Sequence, residues 1–279
     1  KADLKIVRLF DAMDKLSDYD DKLLLKKLSG VTKPQLANLK THLYKQILSS
    51  LRLLKSSESI DLQLTELFDN AHILYKKGLF LQSLRLIEKA KELARTHRKN
   101  NILPQLLSLE KRIESLHITR NIQHRALALS QEVTEVNQHI DRIGRLSNLS
   151  LQLYAWFVEH GHARNENDEQ EVRAFMRWSL PDDAWSLEGF YEKLYLYQSM
   201  TWFAFIRQDF LQYYRYSQKW VDLFRQNPDM IRVETGHYIK AIHQLLNAHF
   251  DLRNHKKFKE TLSFFESVAK LSRIRENDN

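Results

Sequence analysis

The sequence predicts an all-α protein in which antiparallel helix pairs stack into an irregular right-handed α-α superhelix. Apolar residues recur with helical periodicity almost from end to end of the 279 residues, and strict alternation is rare. Only 6 glycines and 4 prolines are present, which leaves little material for hairpins and tight turns. The hydrophobic content of 43% is enough to bury a core. Stacked helix pairs are the simplest architecture that fits these observations.

The first three predicted helices lie in the N-terminal segment. The first covers about residues 4–16, with its apolar residues on one face. The second ends at Gly30, which is a suitable C-cap. Thr32 and Gln35 then have the spacing of a capping box, with a proline in the first turn. This signal predicts a long third helix that runs to about Lys55.

Residues 64–97 have the outline of a tetratricopeptide repeat (TPR) unit, which consists of two antiparallel helices in about 34 residues. Small residues let the two helices approach closely. Gly78 permits the turn between them, and Phe80 fills the space between neighbouring units. The residues at the characteristic positions are Leu67, Ala71, Leu74, Gly78, Phe80, Ser83, Ile87 and Ala90.

Two further units are predicted over residues 194–227 and 242–275. Aligning Phe80 with Phe210 and Phe258 separates the three units by about 130 and 48 residues. Long helices fill residues 102–160 between the first and second units. We therefore expect an N-terminal helical segment at 1–57, a TPR-like unit with long helices at 58–160, and a second repeat half at 161–279, together forming one continuous solenoid.

Short stretches across most of the chain resemble a bacterial family of TPR-like proteins. The resemblance implies the helical-repeat fold and an N-terminal extension, and it implies no activity, cofactor or functional residue. The stretches are Arg8-Leu-Phe-Asp-Ala-Met-Asp14, Lys40-Thr-His-Leu-Tyr-Lys-Gln-Ile-Leu-Ser-Ser-Leu-Arg52, Asp61-Leu-Gln-Leu-Thr-Glu-Leu67, Phe190-Tyr-Glu-Lys-Leu-Tyr-Leu-Tyr197 and Val221-Asp-Leu-Phe-Arg-Gln-Asn-Pro228.

Composition limits the partners and the compartment. The chain has 43 basic and 35 acidic residues, a net charge of +8, which weakly favours anionic partners. No run approaches the roughly 18 apolar residues of a membrane span, so a membrane partner is not expected. Cysteine is absent, which fits a reducing compartment, and we expect a cytoplasmic protein.

Catalytic and metal-binding motifs are missing from the sequence. It has no Gly-rich phosphate loop, no Gly-x-Ser-x-Gly elbow and no His-Glu-x-x-His helix. Four histidines are spaced by six residues, which rotates each by about 240° from the last on a helix, so they do not converge. We expect no enzyme activity, metal or cofactor, although a triad assembled only in space leaves no such motif. The four histidines are His237, His243, His249 and His255.

The resemblance to TPR units implies a concave groove lined by the first helix of each unit. Aromatic anchors and a few polar groups there suit an extended or helical peptide. The lysine and asparagine with which chaperone-binding TPR domains clamp a peptide carboxylate are replaced here, so that clamp is not expected. The groove positions are Phe68, His72, Tyr75, Lys76, Tyr195, Gln198, Trp202, Phe205, His243, Leu246, Phe250 and Arg253. The sequence thus favours a non-enzymatic scaffold with an unidentified protein or peptide partner.

An alternative function rests on the basic N-terminal helices. Residues 22–57 hold eight Lys or Arg residues and no Asp or Glu. On the third helix five of them fall in a sector of roughly 140° beside an apolar stripe, which would suit nucleic acid phosphates. The TPR-like part would then act as a sensor. The five are Lys33, Lys40, Lys45, Arg52 and Lys55.

Two details weigh against nucleic acid. Ser29-Gly30-Val31-Thr32 resembles the turn of a helix-turn-helix motif, but Lys26 occupies the position where a small residue lets the helices cross. The following helix is also long. The simpler interpretation is a solvated basic face that docks onto nearby acidic residues such as Asp21. Self-association is a third possibility, and the sequence leaves the oligomeric state open.

Overall fold

The computed structural model describes residues 2–16, 18–28, 30–55, 59–117 and 122–277, and in this part of the chain the regular elements are helices, with no strand. The all-α prediction is therefore confirmed. None of the described helices is both long and apolar enough to cross a lipid bilayer. The helices are α1 (Ala2–Asp14), α2 (Asp21–Lys27), α3 (Lys33–Lys55), α4 (Ile60–Lys76), α5 (Phe80–Thr96), α6 (Leu103–His117), α7 (Ile122–His160), α8 (Glu166–Ser179), α9 (Phe190–Ile206), α10 (Phe210–Gln226), α11 (Asp229–Val233), α12 (Thr235–Asp251) and α13 (His255–Asn277), with a 3-10 turn at Asn100–Ile102.

The chain divides into two compact units, Lys1–Val133 and Thr134–Asn279, with the boundary inside α7. In the first unit, α1, α2 and the first half of α3 share a small apolar core. Later in the same unit, α4 packs on α5 and α5 packs on α6. In the second unit, α9, α10, α12 and α13 pack in sequence, each on the one before.

The capping box predicted at the start of α3 is confirmed. The Thr32 backbone N–H donates to Gln35 Oε1 at 3.0 Å, and the Gln35 N–H donates to Thr32 Oγ1 at 3.4 Å. The long third helix ends at Lys55 as expected, while α1 ends at Asp14, two residues earlier than predicted. The turn resembling a helix-turn-helix motif begins at a residue outside those described, Ser29.

The helix pair predicted over residues 64–97 forms as α4 and α5. Ala71 and Ala90 are fully buried where the two helices approach each other. The Ser83 hydroxyl, which stands where alanine is usual, donates to the Ala71 carbonyl at 2.8 Å. Because the hydroxyl has this partner, its burial leaves no unsatisfied group.

The same turn joins three helix pairs: α4 to α5, α9 to α10 and α12 to α13. Each first helix has 17 residues, and three residues follow before the second helix begins. The middle residue has a positive φ, with values of 76° at Gly78, 56° at Gln208 and 55° at Arg253. The next residue donates its N–H to the carbonyl five positions back, as in a Schellman motif. These bonds are 3.0 Å at Leu79, 3.0 Å at Asp209 and 2.8 Å at Asn254.

This shared turn corrects the alignment of the third unit. The turns recur 130 residues apart, from 78 to 208, and then 45 residues apart, from 208 to 253. The prediction used 48 residues for the second interval because it aligned Phe258 with Phe80 and Phe210. The third pair therefore lies three residues earlier than predicted, and α13 begins at His255.

A buried ionic cluster connects α5, α6 and α7 in the first unit. The Lys91 side chain is 2% exposed, and its ammonium lies 3.0 Å from Glu110 and 3.0 Å from Glu132. Arg95 also pairs with Glu132, and Arg125 pairs with Glu110. Each buried charge thus has an opposite charge in contact, which is the condition under which such burial is tolerated.

In the second unit, Glu192 connects α7 to the start of α9. This buried carboxylate accepts hydrogen bonds from the Gly189 N–H at 3.1 Å and from Arg142 Nε at 3.1 Å. His139 Nδ1 lies 3.2 Å from the same carboxylate. These contacts fix the first turn of α9, the helix that carries four of the predicted groove residues.

Candidate functional site

An open cleft lies between α4 and α6 in the first unit. It has a volume of about 360 Å³. From α4 it takes Phe68 and His72, two of the predicted groove residues, whose rings meet edge to face at 4.6 Å between centroids. The other lining residues are Pro104, Gln105, Ser108, Leu109 and Arg112.

The chemistry of the cleft is aromatic, polar and cationic. Its lining contains no carboxylate. Gln105, Ser108 and Arg112 are exposed on α6 at spacings of three and four, so they form one row along the helix. Arg112 makes no ion pair with any described residue. These groups can donate hydrogen bonds to a ligand whose apolar side chain packs against the Phe68 ring.

The other two groove residues of α4 continue along the helix beyond the cleft. The Tyr75 ring lies 5.8 Å from the His117 ring of α6, and His117 stacks on Phe80 at 3.8 Å. Lys76 is exposed. The structure therefore places Phe68, His72 and Tyr75 on the side of α4 that faces α6. The α6 residues carry no repeat pattern of their own, so the sequence indicates only long helices over residues 102–160 and gives no sign that α6 lines a cleft.

In the second unit the four predicted groove residues of α9 lie on one side of the helix, but two of them are buried. Gln198 is 7% exposed and Trp202 is 5% exposed. Trp202 belongs to an apolar cluster with residues of α7 and α8. Tyr195 and Phe205 are half-buried. Only the outer two members of this row are thus open to a ligand.

Across from this row, α12 presents His237 and Lys240, which the sequence analysis did not select for the groove. The His237 ring lies 5.7 Å from the Tyr195 ring. The Lys240 ammonium lies 5.6 Å from the centroid of the Trp202 ring and 5.0 Å from that of Tyr154, on α7. Both distances are within the range of a cation–π interaction.

Two of the four residues predicted to continue the groove on α12 lie elsewhere. Arg253 is the middle residue of the turn after α12. Leu246 is buried in the core with α10. His243 and Phe250 are exposed on α12, where Phe250 lies 6.4 Å from Phe258 of α13. The three-residue error in alignment explains the positions of Leu246 and Arg253. In the corrected register Lys240, His243 and Phe250 correspond to Tyr195, Gln198 and Phe205.

Burial controls the protonation of the face between α9 and α12. It lowers the pKa of Lys240, with no acidic group offsetting the effect. Burial also lowers the pKa of His237, an effect that the Lys240 charge strengthens and Glu234 opposes. The pKa of Tyr195 is raised, first by burial and then by Glu234.

Three buried polar atoms on this face have no hydrogen-bond partner among the described residues. They are Gln198 Oε1, Trp202 Nε1 and His237 Nδ1. A buried polar atom without a partner costs about 1–3 kcal/mol. Four more such atoms lie elsewhere in the same unit, on Trp156, Ser217, Trp220 and His249, so the lack of a partner is not special to this face.

The predicted basic face of α3 is partly occupied by ion pairs. Lys40 lies 3.0 Å from Asp21, and Arg52 lies 3.2 Å from Asp69. Hydrogen bonds from Tyr19 and then Lys40 lower the pKa of Asp21. Lys33 and Lys45 are exposed, and the side chain of Lys55 lies outside those described. Docking onto Asp21 thus occurs, and the two remaining cations whose side chains are described, Lys33 and Lys45, share no contact that would indicate a phosphate site.

The apolar stripe of α3 divides into two halves. Leu36 and Leu43 are buried against α1 and α2. Every residue from 44 to 54 is exposed, and none of them belongs to an apolar cluster of the described residues. The large apolar side chains that it exposes are Tyr44, Ile47, Leu48, Leu51, Leu53 and Leu54.

Among the described residues, no three His, Asp or Glu side chains gather so that they could hold a metal ion. No family model, no curated protein and no solved structure matches the chain.

Proposed function

We propose that this chain is a cytoplasmic, non-enzymatic interaction scaffold, built as a TPR-like superhelix, that binds a peptide along its helix pairs. The recurring turn of the three pairs supports the repeat architecture. The observation that carries the function is the cleft between α4 and α6, where two predicted groove residues meet unpaired polar groups from a second helix.

The lining of the cleft suits a peptide. Phe68 and His72 supply an aromatic surface against which an apolar side chain can pack. Arg112, Gln105 and Ser108 supply donors for the carbonyl and carboxylate oxygens of a peptide. Because α4 and α6 both border the opening, an extended or helical segment can lie between them.

A blocking substitution tests the proposal without removing core atoms. Peptides selected from a random library against the full chain are measured by fluorescence anisotropy. Ser108→Trp places an indole in the cleft from an exposed position, and we expect it to weaken binding by about tenfold or more. Ser115→Trp, at an exposed position of the same helix outside the cleft, is the matched control and keeps the affinity. Failure to select any peptide, or equal binding by both variants, contradicts the proposal.

A further inference from the structure

Lys240 is a partly buried cation without a counter-ion. Its ammonium rests over the rings of Trp202 and Tyr154 and has no carboxylate within ion-pair distance among the described residues. Elsewhere in the protein the more deeply buried lysine, Lys91, is surrounded by carboxylates. An ammonium held against aromatic rings retains only part of the stabilisation that water would give it.

We propose that Lys240 is the receptor for a peptide carboxylate in the second unit, with Trp202 and Tyr154 as the apolar floor beneath it. The ligand class rests on the proposed function, since we take the ligand to be a peptide, but the site is separate from the cleft of the first unit.

The charge at the site selects a carboxylate over a phosphate. Lys240 is the one full positive charge on the face between α9 and α12 as far as the described residues go, because burial favours the neutral form of His237. Phosphate sites combine two or more cations, an arginine fork or a helix N-terminus. A single ammonium matches a single negative charge. The ammonium can donate hydrogen bonds to a carboxylate that approaches from the open side, where Tyr154 is exposed.

The Trp202 ring beneath Lys240 belongs to the same row of α9 as Gln198. Gln198 and Trp202 are one turn apart on α9, and the buried polar atom of each lacks a partner. The aromatic floor accommodates the apolar side chain next to the acidic residue in the peptide.

Four synthetic peptide pools test the proposal. Each contains randomised eight-residue peptides with either glutamate or glutamine at a fixed central position, and with either a free or an amidated C-terminus. The full chain carrying Ser108→Trp is used, so that the cleft of the first unit does not contribute. Bound peptides are quantified by mass spectrometry. We expect the pools with a carboxylate to exceed the amidated glutamine pool by about tenfold, as for one charge-assisted hydrogen bond. The two sources of carboxylate, side chain and terminus, are separated by comparing the amidated glutamate pool with the unamidated glutamine pool.

Lys240→Met, made in the same background, should bring all four pools to the same level. Lys219→Met is the matched control, because Lys219 lies over the rings of Tyr197 and Tyr216 in the same unit, and it should keep the preference. Capture of the carboxylate-bearing pools no better than that of the amidated glutamine pool, no capture in the Ser108→Trp background, or a preference that survives Lys240→Met overturns this inference alone. Failure of the wild-type chain to capture any pool overturns the proposed function as well.

Discussion

Replacing Lys91 by methionine tests whether the buried ionic cluster holds the first unit together. The change keeps the length of the side chain and removes the ammonium that lies between Glu110 and Glu132. Both carboxylates then lose a partner at a site that water does not reach, since the Lys91 side chain is only 2% exposed. We expect a large loss of stability because the remaining charges stay buried.

The magnitude follows from what each carboxylate retains. Glu88, the third acidic contact of Lys91, is 61% exposed and contributes at most about 1 kcal/mol. Glu132 keeps its pair with Arg95, and Glu110 keeps its pair with Arg125. Breaking a buried pair costs about 3–5 kcal/mol. Because the arginine contacts survive, we expect Lys91→Met to lose stability near the lower end of that range, about 3 kcal/mol. This loss corresponds to a decrease in Tm of roughly 10 °C.

Urea unfolding of the full chain, followed by far-UV circular dichroism, measures the loss. All five tryptophans lie between residues 156 and 220, so their fluorescence follows the second unit and reports separately on it. Lys89→Met, at an exposed position on the same helix, is the control and should change stability by less than about 0.5 kcal/mol. A loss below about 1 kcal/mol for Lys91→Met would refute the claim that the cluster stabilises the unit.

Three further predictions concern the turns, the cap and Lys240. Gly78→Gln should destabilise the chain by about 1 kcal/mol, and Gln208→Gly should stabilise it by about 0.5 kcal/mol, because both positions have positive φ. Thermal unfolding measures both changes in stability. Changes of the same sign in the two variants would contradict the shared turn. Thr32→Ala should lower the free energy of unfolding by about 1 kcal/mol, because it removes the capping box. A clearly smaller loss of stability and helicity would show that the cap is not used. Burial holds the pKa of Lys240 in the folded protein below its ordinary value of 10.5. Between these two pKa values the unfolded state binds more protons than the folded state, so the contribution of Lys240 to stability rises with pH towards 10.5. The stability advantage of Lys240→Met over wild type should therefore shrink as pH rises, and a constant difference in urea unfolding contradicts the assignment.

The helices could be predicted from the sequence because periodicity and caps are local signals. The capping box of Thr32 and Gln35, the turn at Gly78 and the small residues between α4 and α5 all formed as expected. Each depends on residues within one helix pair. Phe68 and His72 lie one turn apart on α4, so the sequence could place them on one side of the helix, where both line the cleft.

The third unit was misaligned because its turn carries no local signal. Arg253 adopts the left-handed conformation that glycine usually supplies, and so does Gln208. With no glycine to mark the turn, the aromatic ring of Phe258 set the register instead. As a result, Lys240 was not recognised as a groove residue.

The buried cluster around Lys91 could not be predicted either. A lysine in a helix reads as a solvated residue, and nothing within α5 reveals that Glu110 lies beside it. The pairing depends on how three helices pack, which is tertiary information. The exposure of the second half of α3 is likewise invisible in its sequence, where the leucine stripe continues without interruption.

That exposed half of α3 has a consequence for amide exchange and for the energetics of any contact made there. An isolated helix of eleven residues is marginal in water, because its turns are held by local hydrogen bonds alone. The amides of residues 44–54 should therefore exchange with deuterium far faster than those of residues 36–43 in the same helix. A protein that covered the leucines would also have to hold this segment helical. Its affinity would then fall below the value expected from the apolar area alone by the free energy of ordering these residues.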